Sequence, residues 1–268
     1  MCIRDSGWVA SMLQNVGEFG VRTGDWATGL SGLETALTEE WDPVDRMWLV
    51  IAATQIRALR GEPVADALRE IDLLLGDRND AQAAANVAMT YGVAALASGN
   101  MPEVIATCAR AEALSSTLEA VLRPRAARAA LWMGDVSTAQ AHLAASEASG
   151  LHGPSIEADR RTVRAGIAAL EGRSAEALPL YRESIRAWRD LGLAWDEALC
   201  GLDMVVLLDP ADPEVRSIAE STREILVQLE AAPFIARLDA AVDSAVGSGD
   251  RPGARRPNVP EQQVASAS

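Results

Sequence analysis

The stretch Glu171-Gly172-Arg173-Ser174-Ala175-Glu176-Ala177-Leu178-Pro179-Leu180-Tyr181-Arg182-Glu183-Ser184-Ile185-Arg186-Ala187-Trp188 decides how the chain is read. After Gly172 the residues Ala177, Leu178, Tyr181, Ile185 and Trp188 share one helical face, and Arg182, Glu183, Arg186 and Arg189 share the other. Such a helix is stable only when its apolar side leans on a neighbour. The same arrangement recurs upstream. Gly24, Gly61, Gly99, Gly134 and Gly172 follow one another at intervals of 37, 38, 35 and 38 residues, each ending one amphipathic segment and opening the turn into the next. In four of the five the next residue is Asp25, Glu62, Asn100 or Asp135, a small or acidic start for a helix. A period of this length marks a helical-repeat solenoid, in which each helix pair buries its apolar face against the next pair and contacts stay local.

Working outward, the pattern predicts helices over 7–22 and 26–38, then 43–60 and 64–75, 81–98 and 102–114, a fourth pair closing at 133 and spanning 137–149, and a fifth over 156–171 and 175–191. Asp42 is placed to accept hydrogen bonds from the free amides of the second pair's first helix, and Pro43 suits its first position. Pro124 predicts a kink or a late start in the fourth pair. A further unit covers 195–208, 213–229 with Asp212 as cap, and 234–246. From Gly247 the chain is rich in Gly, Pro, Ser and Gln, so 247–268 is expected to be disordered.

Composition bounds the function. The chain of 268 residues is 49% hydrophobic but only 4% aromatic, a balance that favours close helix packing over strands. Its net charge of -14 argues against nucleic acid and anionic membranes as partners. All 24 basic residues are Arg, a usage that fits a GC-rich bacterial genome. Without Lys there is neither a Walker A phosphate loop nor a Schiff-base amine. Cys2, Cys108 and Cys200 are too few and too scattered for a disulfide framework or zinc site, and no secretory signal or membrane span is visible, which points to the cytosol. His142 and His152 have no metal-ligand or general-base spacing, and Glu39-Glu40 reads as a surface turn. No cofactor and no metal are expected, and the chain is not read as an enzyme.

Seven residues before each turn glycine lie Gly17, Thr54, Gly92, Ala127 and Ala165, and five after it lie Gly29, Asp66, Val104, Ala139 and Ala177. Small residues at these two places let helices nest, and in this the chain resembles tetratricopeptide repeats, with Asp66 and Val104 departing from the pattern. The resemblance implies an all-α superhelical solenoid of about six helix pairs over 7–246.

The ending Leu193-Ala194-Trp195-Asp196-Glu197-Ala198-Leu199, Gly201-Leu202-Asp203-Met204, Leu207-Leu208-Asp209-Pro210, Arg223-Glu224-Ile225-Leu226 and Ala232-Pro233-Phe234-Ile235-Ala236-Arg237-Leu238 resembles the C-terminus of large bacterial signalling proteins. These join a class III adenylate or guanylate cyclase, a STAND-type or AAA-like ATPase, and tetratricopeptide repeats. The resemblance implies a protein-interaction and regulatory scaffold, its partner a protein or peptide or the parent's own upstream domains. LuxR-type ATPase regulators carry similar repeats but finish in a DNA-binding helix-turn-helix. The acidic ending here favours the cyclase-type parent, with the LuxR-type region and a free-standing adaptor as alternatives. Residues 1–6 match the translation of a sequencing-library adaptor, which predicts that the natural chain continues upstream.

In tetratricopeptide folds the first helix of each pair lines the concave groove. By that resemblance the partner-binding candidates are Gln14, Glu18, Arg22, Trp48, Gln55, Asn86, Met89, Arg128, Trp132 and Asp159. Amides, arginines and tryptophans of this kind hold peptides by hydrogen bonds and aromatic anchoring. The carboxylate clamp of chaperone-binding relatives needs Lys, which this chain lacks.

Overall fold

The computed structural model describes residues 3–115 and 118–248; Met1, Cys2 and 249–268, with most of the expected disordered tail, lie outside the described residues. The described residues form thirteen α-helices and no strand. They are α1 Ile3–Thr23, α2 Trp26–Leu37, α3 Pro43–Arg60, α4 Ala65–Leu75, α5 Ala81–Ser98, α6 Met101–Leu114 and α7 Glu119–Trp132. Then follow α8 Val136–Ala148, α9 Pro154–Leu170, α10 Ser174–Asp190, α11 Ala194–Leu207, α12 Pro213–Gln228 and α13 Ala232–Ser248. None of them is long and apolar enough to cross a membrane.

The local chemistry of the sequence sets these boundaries. Asp42 Oδ1 accepts hydrogen bonds from the amides of Val44 and Asp45 at 2.8 and 3.2 Å, with Pro43 as first residue. Asp212 does the same for Glu214 and Val215 at 2.8 and 3.4 Å. At the other end of the first helix of each hairpin, Gly24, Gly61, Gly99, Gly134 and Gly172 all have φ between 77° and 89°, the left-handed conformation that closes a helix. Pro124 lies inside α7 without delaying its start, and Pro179 lies inside α10 in the same way.

Consecutive helices pack as hairpins, and first helices line up on one another: α1 on α3, α3 on α5, α7 on α9, and α9 on α11. The small-residue positions sit at these contacts. Gly17 faces Leu33 and Ala52, a Cβ at Gly92 would lie 2.7 Å from Thr107 Oγ1, and Ala127, Ala139, Ala165 and Ala177 are buried. Asp66 is exposed.

Strictly local contact, expected of a solenoid, does not hold. Helix α11 packs on α1, and α13 packs on α3 and α5 as well as α11, so the array curls until its ends meet. An aromatic row closes the seam. The rings of Trp26 and Trp195 lie 5.1 Å apart, and those of Trp195 and Phe234 lie 4.8 Å apart edge to face. Each is at most 6% exposed, and burying a large apolar side chain contributes about 1.5–3 kcal/mol. Helix α13, the last among the described residues, supplies part of this closure through its contacts with α3, α5 and α11.

The turn glycines take part. A Cβ at Gly24 would meet Ala194 and Leu229 at 3.1 Å, one at Gly61 would meet Pro233 Cγ at 2.8 Å, and one at Gly99 would meet Arg237 at 3.0 Å. Leu229, at the end of α12, and Pro233 and Arg237, one turn apart on α13, lie across three successive turns. Gly134 and Gly172 have nothing within 4 Å.

These two kinds of glycine separate in a substitution experiment. Gly172→Ala pays only the left-handed backbone cost, about 1–2 kcal/mol. Gly61→Ala pays that and an overpacking cost against Pro233 of about 1–3 kcal/mol more. Chemical denaturation should show the larger loss at Gly61; equal losses would contradict the placement of α13.

Candidate functional site

Closure turns the inner wall into a chamber. A cavity of about 220 Å³ lies among α1, α3, α5, α7, α9 and α11, walled by apolar side chains such as Leu59, Val93, Ile156 and Leu199 and by a set of charges. Those charges come from four helices. Arg22 ends α1, Arg125 and Arg128 sit one turn apart on α7, Asp159 lies on α9, and Asp196 starts α11. Asp203, two turns further along α11, stands behind Arg128.

Two ion pairs form. Arg22 Nε donates to Asp196 Oδ2 at 2.9 Å, bridging the first and eleventh helices, and its guanidinium lies 5.9 Å from the Trp188 ring. Arg128 Nε donates to both oxygens of Asp203, at 3.0 and 2.8 Å, and Trp132 Nε1 donates to Asp203 Oδ1 at 2.8 Å. Asp203 is 1% exposed. Burial opposes the charge on Arg128, but the Asp203 carboxylate outweighs it and holds the guanidinium pKa above its ordinary value. The far side of Trp132 is covered by Arg237 at 4.2 Å, which ties α13 to this network.

Arg125 and Asp159 remain. Arg125 makes no hydrogen bond or ion pair with the described residues, and its Nη1 is buried without a partner. Burial lowers its pKa. Asp159 likewise has no hydrogen bond, and burial, with the neighbouring Asp196 carboxylate, pushes its carboxyl up to about 7 despite Arg128 and Arg22. Cys200, behind the acids and 3.5 Å from Thr162 Oγ1, is held as a thiol by burial.

Of the residues expected along the groove, the cavity brings together Arg22, Gln55, Arg128 and Asp159, with Trp132 joined through Asp203. Gln55 donates to Thr90 Oγ1 at 3.0 Å. The others lie elsewhere. Gln14 and Glu18 hydrogen-bond to each other along α1, Asn86 donates to Gln82 of its own helix, and Met89 packs half-buried on the main core. Trp48 is half-buried against a separate cluster around Met47, Ile51 and Ile71. Arg125, Trp195, Asp196 and Asp203 were not anticipated. The pairs Arg125/Arg128 and Asp196/Asp203 sit at same-face helical spacing, a signal visible in the sequence; which helix they would face is not. Among the described residues no cluster of His, Cys, Asp and Glu could hold a metal ion.

No family model, no curated protein and no solved structure matches this chain.

Asp159 yields a pH prediction. Its folded pKa near 7 exceeds the unfolded value of about 3.9, so the folded chain holds an extra proton between those values. Its contribution to stability therefore falls as pH rises through that window, and the cost is complete above pH 7. The groups facing it are Arg22, Arg128, Asp196 and Asp203. Asp159→Asn should be more stable than the parent at pH 8, by about 1–3 kcal/mol after discounting for partial exposure. The difference should vanish near pH 4; a variant less stable at pH 8 would show that the carboxylate is paired after all.

Proposed function

We propose that the chain is a non-enzymatic regulatory and interaction module, in which a small ligand in the central cavity sets how firmly the C-terminal helix holds the first three hairpins. The observation that carries this reading is a cavity lined by both Arg125 and Asp159, neither of which has a hydrogen-bond or ion-pair partner among the described residues, with Arg125 Nη1 buried and unsatisfied beside it. Unpaired buried charge is costly, and a chamber that keeps it is prepared for an occupant that brings the missing partner. The cavity is small. At about 220 Å³ it lies between an engineered cavity of ~150 Å³ that holds benzene and the ~300 Å³ or more of drug-sized pockets, and an extended peptide exceeds it.

A protein partner is then met on the outside. Helix α1 presents Trp8, Met12, Val16 and Phe19 as one stripe at turn spacing, all more than half exposed. A contiguous apolar stripe of this kind favours docking of a partner there. It supports the reading in which the module packs against an upstream part of a larger ATPase-cyclase signalling protein. The stretches that carry that resemblance, from Leu193 to Leu238, are those that form α11 to α13 and close the array.

Two measurements test the proposal. A thermal-shift panel of sugars, carboxylic acids, amines, amino acids and nucleotides should contain a compound that raises the melting temperature saturably, and a panel without one contradicts ligand control. Reading the DNA upstream of the segment that encodes this chain should, on this proposal, reveal a nucleotide-binding loop and a cyclase domain. A complete short reading frame with its own start would remove the proposed parent.

A further inference from the structure

The central charges balance by number but not by pairing. Arg22, Arg125 and Arg128 face Asp159, Asp196 and Asp203, and only two of the three possible pairs are made. Arg125 and Asp159 stand on α7 and α9, which pack directly on each other, yet they form no ion pair. A direct bridge would be the simplest way to satisfy both. Instead they share the lining of the cavity, with apolar side chains making up much of the remainder.

Each of the two needs a different counter-group. Arg125 offers a forked donor that suits a carboxylate, and Asp159 offers an acceptor that suits an ammonium. One small molecule carries both groups on a single carbon and adds an apolar body. Resting on the small-ligand reading above, we propose that the cavity binds a free α-amino acid with an aliphatic or aromatic side chain, its carboxylate on Arg125 and its ammonium on Asp159. The side chain lies among Leu59, Val93, Leu96, Ile156 and Leu199, and the ~220 Å³ volume excludes a nucleotide or a folded peptide. Because Trp195 and Asp196 belong both to this wall and to the seam, the bound amino acid also braces the closure between α1 and α11.

The test is titration calorimetry on the whole chain with L-leucine, L-phenylalanine, leucinamide and 4-methylpentanoate, the last two lacking the carboxylate and the ammonium respectively. At least one of the two amino acids is expected to bind saturably at one site, with leucinamide and 4-methylpentanoate at least about tenfold weaker than leucine. Arg125→Gln and Asp159→Asn should each lose at least about tenfold in affinity without lowering the melting temperature of the unliganded chain, which separates a lost ligand contact from a damaged fold. Equal binding of 4-methylpentanoate would overturn the ammonium assignment, and equal binding of leucinamide the carboxylate assignment. Failure of both amino acids to bind overturns the ligand class; a saturable hit of another class in the thermal-shift panel would then leave the small-ligand reading standing, while an empty panel would remove both.

Discussion

The structure depends on the contact between the C-terminal unit and three turns near the start of the chain. Leu229, Pro233 and Arg237 press on Gly24, Gly61 and Gly99, where an added Cβ would lie 3.1, 2.8 and 3.0 Å from them. Glycine serves twice at these turns. Its left-handed backbone ends the helix, and its bare surface admits another element. The aromatic row of Trp26, Trp195 and Phe234 adds the apolar burial that makes the contact favourable. A stack held only by neighbours would stay open, since each interface is satisfied locally. Here a long-range interface is added.

Closure creates the electrostatic problem at the centre. Charges carried on the inner faces of α1, α7, α9 and α11 would be hydrated in an open array, and closure withdraws that water. A buried charge costs several kcal/mol unless it is paired with good geometry. The Arg128–Asp203 contact, reinforced by Trp132, and the Arg22–Asp196 contact across the seam meet that requirement. Arg125 and Asp159 do not, and both line the cavity proposed to take a ligand. Residues under selection for binding are often those that stability alone would remove.

Much of the helical layout was legible in the sequence because it is fixed by local chemistry. Caps at Asp42 and Asp212, left-handed glycines at a steady interval and a 3.6-residue apolar stripe act within a few residues of where they sit. Closure was not legible, because Gly61 and Gly172 look alike in sequence and differ only in whether α13 lies above them. The candidate site was half legible for the same reason. Arg128 and Asp159 could be placed on inward-facing helices, whereas the roles of Asp196 and Asp203 depend on α11 meeting α1 and α7, a contact between distant parts of the chain. Trp48 shows the converse: a large aromatic on a first helix reads in sequence as a groove residue, while its packing partners belong to a separate cluster with α4.

The central claim is the meeting of the two ends of the described helical array, and a distance measured across the seam tests it most directly. Spin labels at Glu62→Cys and Ala232→Cys, both exposed, in a chain whose own three cysteines are replaced by alanine, would report the separation of the α3 turn from the start of α13. The closed array predicts one narrow distribution at short range, on the order of 10–20 Å, the width of a helix pair. An open stack, with helix pairs spaced ~10 Å apart, would separate the labels by about 50 Å in a broad distribution, and that result would contradict the account.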